Sequence, residues 1–109
     1  MKKFNVAFSG IINGLKDKSI RLQVFIACFV IIFSLCLKLH YTDLILIIMC
    51  CFLVITFEYV NTCIEKICNV IMPQTNDHIK LIKDLSAGFV LIQAILSVIV
   101  FFIIIISFI

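Results

Sequence analysis

Four polar residues, Glu58, Asn61, Thr62 and Glu65, occur in the segment FEYVNTCIE, directly after a run of fourteen apolar residues. On a helix, positions 58, 61 and 65 fall on one face, because they are spaced i, i+3 and i+7. Two carboxylates and an amide at the edge of an apolar span are costly unless they pair with one another or serve a function. This stripe is therefore the first candidate for chemistry.

A second polar cluster, Lys83 and Asp84, lies in the segment IKDLSAG at the start of the next apolar run. The small residues after it, Ser86, Ala87 and Gly88, would allow another helix to approach closely. Two interpretations follow from spacing alone. The two clusters are ordinary interfacial charges and interhelical contacts, or they form one pocket with carboxylates, an amide and a lysine.

The elements that must position these residues are membrane-spanning helices. Of the 109 residues, 64% are hydrophobic and only 14% are charged. A soluble domain of this size needs more polar surface. The charges are clustered, which leaves apolar runs that predict spans at about 22–38, 43–70 and 79–109. Since a bilayer core excludes lipid-exposed loops, the spans are predicted to be helices.

The segment before the first span has an amphipathic pattern. Phe4, Phe8, Ile11 and Leu15 recur at helical spacing, with polar residues elsewhere. This pattern predicts a surface helix over about 3–16, lying in the membrane interface. The predicted fold class is an all-α membrane protein with an N-terminal amphipathic helix and three transmembrane helices, in a single domain over 1–109.

The distribution of basic residues predicts the orientation in the membrane. Basic residues precede the first span and lie between the second and third, whereas Lys38 stands alone in the connection between the first two. By the positive-inside rule, the N-terminus is expected in the cytoplasm and the C-terminus outside. The basic residues on the predicted cytoplasmic side are Lys2, Lys3, Lys16, Lys18, Arg21, Lys66, Lys80 and Lys83.

The arrangement resembles the prokaryotic diacylglycerol kinase and undecaprenol kinase family. The pattern E-x-x-N-T-x-I-E at 58–65, the pattern K-D-x-x-A-G at 83–88 and the opening FNVAFSGI all resemble motifs of that family. Its members are small homotrimeric enzymes of the bacterial plasma membrane, which transfer the γ-phosphate of MgATP to a lipid hydroxyl. The resemblance implies a homotrimeric helical bundle, ATP and Mg²⁺ as requirements, and a lipid alcohol as acceptor.

The resemblance also implies roles for individual residues in phosphoryl transfer. Glu58 is the candidate general base for the lipid hydroxyl, and Asn61 would position Glu58 or a phosphate oxygen. Lys83 would neutralise charge on the transferred phosphoryl group, and Asp84 would orient that lysine. Further residues are expected to contact the nucleotide or the metal. Lys80, Lys83, Asp84 and Asn69 are the nucleotide candidates, and Glu65 is a metal ligand candidate.

Three positions depart from the family pattern. An ungapped match puts Lys18 where the family has a second metal-binding glutamate, whereas a one-residue deletion supplies Asp17. We prefer Asp17, because a lysine cannot replace a metal carboxylate. Asn69 stands where the family has an aspartate. Asn76 matches the histidine that opens the family's loop motif, and His78 follows two residues later.

Two lipid acceptors and one different class of protein fit the sequence. Thr62 in the motif, the FNVAFSGI opening and the lack of tryptophan look more like the undecaprenol kinases, and diacylglycerol is the alternative acceptor. A small non-enzymatic transporter or scaffold is the different class. Small multidrug transporters need four spans and a glutamate in the first, whereas this sequence predicts three spans and no acidic residue in the first.

Overall fold

The structure, a computed structural model, describes residues 2–72, 74 and 76–109. Four helices account for nearly all of these residues, and the described part of the chain contains no strand. This confirms the predicted all-α class. The helices are α1 (Lys2–Gly14), α2 (Lys18–Cys36), α3 (Tyr41–Ile71) and α4 (Asp77–Phe108).

Three of the helices in the described ranges, α2, α3 and α4, are long and apolar enough to cross a membrane. The 31 residues of α3 span about 46 Å at 1.5 Å per residue. A hydrocarbon core of roughly 30 Å cannot cover that length. One end of α3 must therefore extend into the interface, and the polar stripe of Glu58, Asn61 and Glu65 lies in that half of the helix.

Side chains cap the first turns of α2 and α4. The Asp17 Oδ2 atom accepts a hydrogen bond from the Ile20 backbone N–H at 3.3 Å, and the helix begins at Lys18, four residues before the apolar run. Asn76 Oδ1 accepts from the backbone N–H groups of His78 at 2.8 Å and Ile79 at 3.4 Å, which caps α4. Such caps satisfy the unpaired N–H groups of a helix start.

The connection between α2 and α3 is four residues long and packs into the bundle. Lys38 has a φ of 55°, which turns the chain sharply. Leu39 is buried against Ile47 of α3 and Ile104 of α4, and these three residues form the hydrophobic core at this end of the molecule. The polar stripe lies at the opposite end of α3.

Helix α3 packs against both α2 and α4. The rings of Phe57 and Phe89 meet edge to face with centroids 5.6 Å apart, which joins α3 to α4 beside the stripe. Many large apolar side chains of the three long helices remain exposed. A surface of this kind suits the hydrocarbon of a bilayer, which it contacts without cost.

Candidate active site

The centre of the site is a small cluster of buried polar side chains between α3 and α4. Glu58, Asn61 and Ser86 expose only 7%, 6% and 3% of their surface, and Thr62 is buried beside them. Buried polar groups are tolerated when they are hydrogen-bonded. The contacts within the cluster therefore decide what it can do.

Asn61 connects both carboxylates of the stripe. Its Nδ2 atom donates to Glu58 Oε1 at 3.3 Å and to Glu65 Oε1 at 3.1 Å. Its Oδ1 atom accepts from Ser86 Oγ at 2.6 Å. Ionised carboxylates can only accept, so the amide nitrogen must face them and the oxygen must face the serine hydroxyl. The amide nitrogen of Asn61 thus donates twice, and its carbonyl oxygen accepts once.

The outer part of the site carries cations and is far more exposed. Lys83 Nζ donates to Asn69 Oδ1 at 2.6 Å, which joins α4 to α3. Lys80 Nζ forms a salt bridge with Asp84 Oδ2 at 2.8 Å, one turn apart on α4. Asp84 thus pairs with Lys80, and the contact that orients Lys83 in this structure comes from Asn69.

The candidate residues follow a gradient from buried to exposed along α3. Positions 58, 61, 65 and 69 lie on one face and cover about 16 Å of helix. Glu58 is buried, whereas Glu65 and Asn69 are exposed. The site therefore has a buried end beside apolar side chains and an exposed end where the lysines lie.

The two candidate metal ligands occupy different surroundings. Glu65 is exposed, and Asn61 holds one of its carboxylate oxygens, Oε1. Asp17 serves as the cap of α2. Within residues 2–72, 74 and 76–109, no three histidine, cysteine or acidic side chains cluster closely enough to hold a metal ion. Mg²⁺ commonly binds through one or two carboxylates together with substrate phosphates and water. The exposed carboxylate of Glu65 fits that mode of binding.

Comparison with protein families identifies the class of the protein. The family model for prokaryotic diacylglycerol kinase matches residues 5–105. The chain belongs to the prokaryotic diacylglycerol kinase family. It is a multi-pass membrane protein and a lipid kinase. Comparison with individual curated proteins finds no match.

This lipid kinase also contains an apolar cavity within its three long helices. The cavity has a volume of about 340 Å³ and is lined by side chains of α2, α3 and α4 that include Ala27, Cys51, Val54 and Ala94. Val54 precedes Glu58 by one helical turn, about 6 Å. The cavity therefore lies on the membrane side of the buried carboxylate, on the same face of α3.

Ser86 is the member of the candidate site that sequence reasoning missed. The sequence suggested only a small residue for close helix packing, and the structure shows a hydroxyl that donates to Asn61. A buried serine hydroxyl on a helix is usually hydrogen-bonded, either to a backbone carbonyl of its own helix or to a group on a neighbouring helix. The spacing of Ser86 from Lys83, three residues on one helix face, was the available signal.

Proposed function

We propose that this lipid kinase phosphorylates undecaprenol at the cytoplasmic face of a bacterial plasma membrane, with ATP as the phosphate donor. One observation carries the proposal. Asn61 donates hydrogen bonds both to a buried carboxylate, Glu58, and to an exposed carboxylate, Glu65. Further along the same face of α3, Asn69 accepts a hydrogen bond from Lys83. A membrane alcohol and a nucleotide phosphate need such a site, with one apolar and one cationic side.

Glu58 is the proposed general base. Its carboxylate accepts the proton of the lipid hydroxyl as the alcohol oxygen bonds to the γ-phosphorus of ATP, and ADP leaves with the electrons of the broken P–O bond. The hydrogen bond from Asn61 fixes one oxygen, Oε1, of this carboxylate. This leaves the other oxygen of Glu58, Oε2, to accept the proton. The Ser86 hydroxyl donates to Asn61 Oδ1 and thereby holds the Asn61 amide in place.

Lys83 is the proposed cation for the transferred phosphoryl group. Its ammonium group is held by the neutral carbonyl oxygen of Asn69. A neutral partner positions the lysine without cancelling its charge, whereas an aspartate at position 69 would pair with it. Lys80 and Asp84, which form a salt bridge beside it, are the proposed additional contacts to the nucleotide.

Glu65 is the proposed ligand for the Mg²⁺ that accompanies ATP, with Asp17 as the proposed second carboxylate. The bound metal would supply positive charge to the phosphate oxygens. The hydrogen bond from Asn61 orients the Glu65 carboxylate and leaves its second oxygen for the metal. Asp17 would have to give up part of its capping role or use its other oxygen, Oδ1.

The orientation and the assembly are part of the same proposal. An inside N-terminus puts Lys80 and Lys83 in the cytoplasm, where ATP is available, and puts the C-terminus outside.

A homotrimer would cover part of the exposed apolar surface of the three long helices. Mixed oligomers of Glu58→Ala and Lys83→Ala chains test whether sites are shared. Recovered activity is expected for shared sites, and intact trimers without recovery would place each site within one chain.

Undecaprenol is preferred to diacylglycerol as the acceptor because of the Thr62 form of the motif and the FNVAFSGI opening. The apolar cavity next to Glu58 supports a long hydrocarbon tail on the acceptor but suits either lipid. The description of the matching family keeps diacylglycerol as the second candidate. A transporter or scaffold has no support left, since the family is one of lipid kinases.

The test is transfer of labelled phosphate from MgATP to undecaprenol and to diacylglycerol in mixed micelles. We expect faster transfer to undecaprenol, with Glu58→Gln as the inactive control. Faster transfer to diacylglycerol would replace the acceptor and keep the mechanism. A folded oligomer that transfers phosphate to neither lipid would contradict the proposed function.

A further inference from the structure

The surface helix α1 meets the bundle through one well-defined contact with Tyr59 of α3. The Tyr59 hydroxyl donates to the backbone carbonyl oxygen of Ile11 at 2.8 Å. The Tyr59 ring also lies directly against Gly14, where a Cβ atom would overlap three ring carbons. We call these three residues, Tyr59, Ile11 and Gly14, the α1–α3 contact.

The α1–α3 contact is made at a helix end. Ile11 lies in the last turn of α1, and its carbonyl oxygen accepts the regular helical bond from the Leu15 N–H at 3.2 Å. The Tyr59 hydroxyl adds a second hydrogen bond to the same oxygen. Every residue of α1 before Gly14 is exposed, and Gly14 is half-buried. The helix is therefore held at its C-terminal end.

Gly14 explains why this end of α1 can approach α3 so closely. Gly10, one turn earlier on the same helix, has open space where its Cβ would be. Glycine lowers helix stability by about 1 kcal/mol relative to alanine, so a glycine within a helix needs another reason. At position 14 that reason is the Tyr59 ring, and at position 10 the structure shows none.

Tyr59 directly follows Glu58 in the sequence, on the same turn of α3. Glu58 is hydrogen-bonded to Asn61, which contacts Ser86 of α4, whereas Tyr59 contacts α1. Successive helical residues point about 100° apart, so the two neighbours lie on different faces of α3. The contact therefore fixes α1 against the side of the turn that carries the proposed base. An interfacial helix at that place borders the region where the hydroxyl of a lipid must enter.

We propose that Tyr59 is a positioning residue, which holds the surface helix α1 against the Glu58 turn and so forms one wall of the acceptor hydroxyl's entry. This rests on the proposed function, since it assumes that a lipid alcohol reaches Glu58. The contact lies beside Glu58, whereas Asn69, the partner of Lys83, lies ten residues or about 15 Å further along α3. Its loss should change lipid binding more than nucleotide binding.

Gly14→Ala and Gly10→Ala form a matched pair for the test. Both replace a glycine of α1 by a better helix former, but only the first meets the Tyr59 ring. Tyr59→Phe is a third variant, which keeps the ring against Gly14 and removes only the hydrogen bond. It is nearly isosteric and guards against a result that reflects failed folding.

The kinetic readout is the KM for lipid and for MgATP, measured with the full-length oligomer in mixed micelles. For Gly14→Ala we expect the lipid KM to rise by about three- to tenfold, the range of one hydrogen bond and its packing. The KM for MgATP should stay within about twofold. Tyr59→Phe should show a smaller rise, and Gly10→Ala none. A merely structural defect would lower the active fraction and leave both KM values unchanged.

The structural readout uses the absence of tryptophan from the chain. Phe4→Trp, at an exposed position of α1, provides a single fluorophore in all variants. In phosphatidylcholine–phosphatidylglycerol vesicles, quenching by lipids brominated near or far from the headgroup reports the depth of α1. We expect Gly14→Ala to change the ratio of shallow to deep quenching, and Gly10→Ala to leave it at the parent value.

The outcomes separate this proposal from the proposed function. Equal lipid KM values and equal quenching in Gly14→Ala and Gly10→Ala would overturn the positioning role, even if the parent transfers phosphate normally. A parent chain that transfers phosphate to neither lipid would contradict the proposed function, and the positioning role would fall with it. A change in quenching without a change in the lipid KM would mean that the α1–α3 contact sets the position of α1 but that Tyr59 has no role in acceptor entry. This result would overturn the proposal.

Discussion

The two halves of the polar junction between α3 and α4 are built differently. In the inner half, Glu58, Asn61 and Ser86 are buried and connected through one amide. In the outer half, Lys80 and Asp84 pair with each other in solvent, and Lys83 reaches across to α3. The inner half fixes one geometry, because a buried network tolerates no unpaired member. The outer half has side chains that can exchange partners when a phosphate arrives.

The largest expected effect lies in the inner half. Glu58→Gln keeps an oxygen that accepts from Asn61 but loses the base, so phosphate transfer should fall by about 10²- to 10⁴-fold. Asp43→Asn is the matched control, since Asp43 is an acidic residue in the first turn of α3. Initial rates with labelled MgATP measure both. A Glu58→Gln enzyme with nearly full activity would remove Glu58 from the role of base.

The outer half should show a sharp difference between its two lysines. Lys83→Met removes the proposed cation at the phosphoryl group, and we expect kcat/KM for MgATP to fall by about 10²-fold. Lys80→Met removes an additional nucleotide contact that is already paired with Asp84 in an exposed salt bridge, and it should cost less than about threefold. Steady-state kinetics at varied MgATP compare them. Equal losses would mean that the contact with Asn69 does not distinguish Lys83.

Glu65 links the two halves, and its variant tests the metal role. Glu65→Gln keeps a hydrogen-bond acceptor for Asn61 but weakens a carboxylate ligand, so the half-saturating Mg²⁺ concentration should rise by about tenfold or more. The lipid KM should change little. Titrations of activity with Mg²⁺ at fixed ATP measure the shift. A magnesium curve that matches the parent's would exclude Glu65 as a ligand.

A smaller effect than for Glu58, Lys83 or Glu65 is expected from the support of Asn61. Ser86→Ala removes the donor to Asn61 Oδ1 and should cost about 1 kcal/mol in the free energy of unfolding, with activity reduced by roughly fivefold. Ser97→Ala is the matched control, because Ser97 donates to the Gln93 backbone carbonyl of its own helix. Denaturation in detergent compares the two. A Ser97→Ala protein as unstable as Ser86→Ala would show that the network adds nothing specific.

Much of the fold was predictable from the sequence because lipid imposes simple rules. Long apolar runs have to be helical, so the three long helices and the surface helix follow from hydropathy and periodicity. Their ends were less predictable. Helix α2 begins at Lys18 because Asp17 caps it, and a cap depends on one local hydrogen bond.

The site was predictable along each helix but not between helices. Helical spacing puts Glu58, Asn61 and Glu65 on one face, and in the structure Asn61 donates to both glutamates. The partners across α3 and α4 depend on register, which spacing within one helix does not contain. That is why the contact of Ser86 with Asn61 was missed, and why Asp84 was expected to orient Lys83 although it pairs with Lys80.

The four-residue connection around Lys38 has a consequence for how the chain enters the membrane. A link this short keeps α2 and α3 side by side and antiparallel, as in other helical hairpins. We expect the two helices to insert as one unit during synthesis. Leu39, in the connection itself, packs on Ile47 within this hairpin and on Ile104 of α4. Helix α4 therefore completes a core that the hairpin of α2 and α3 only begins.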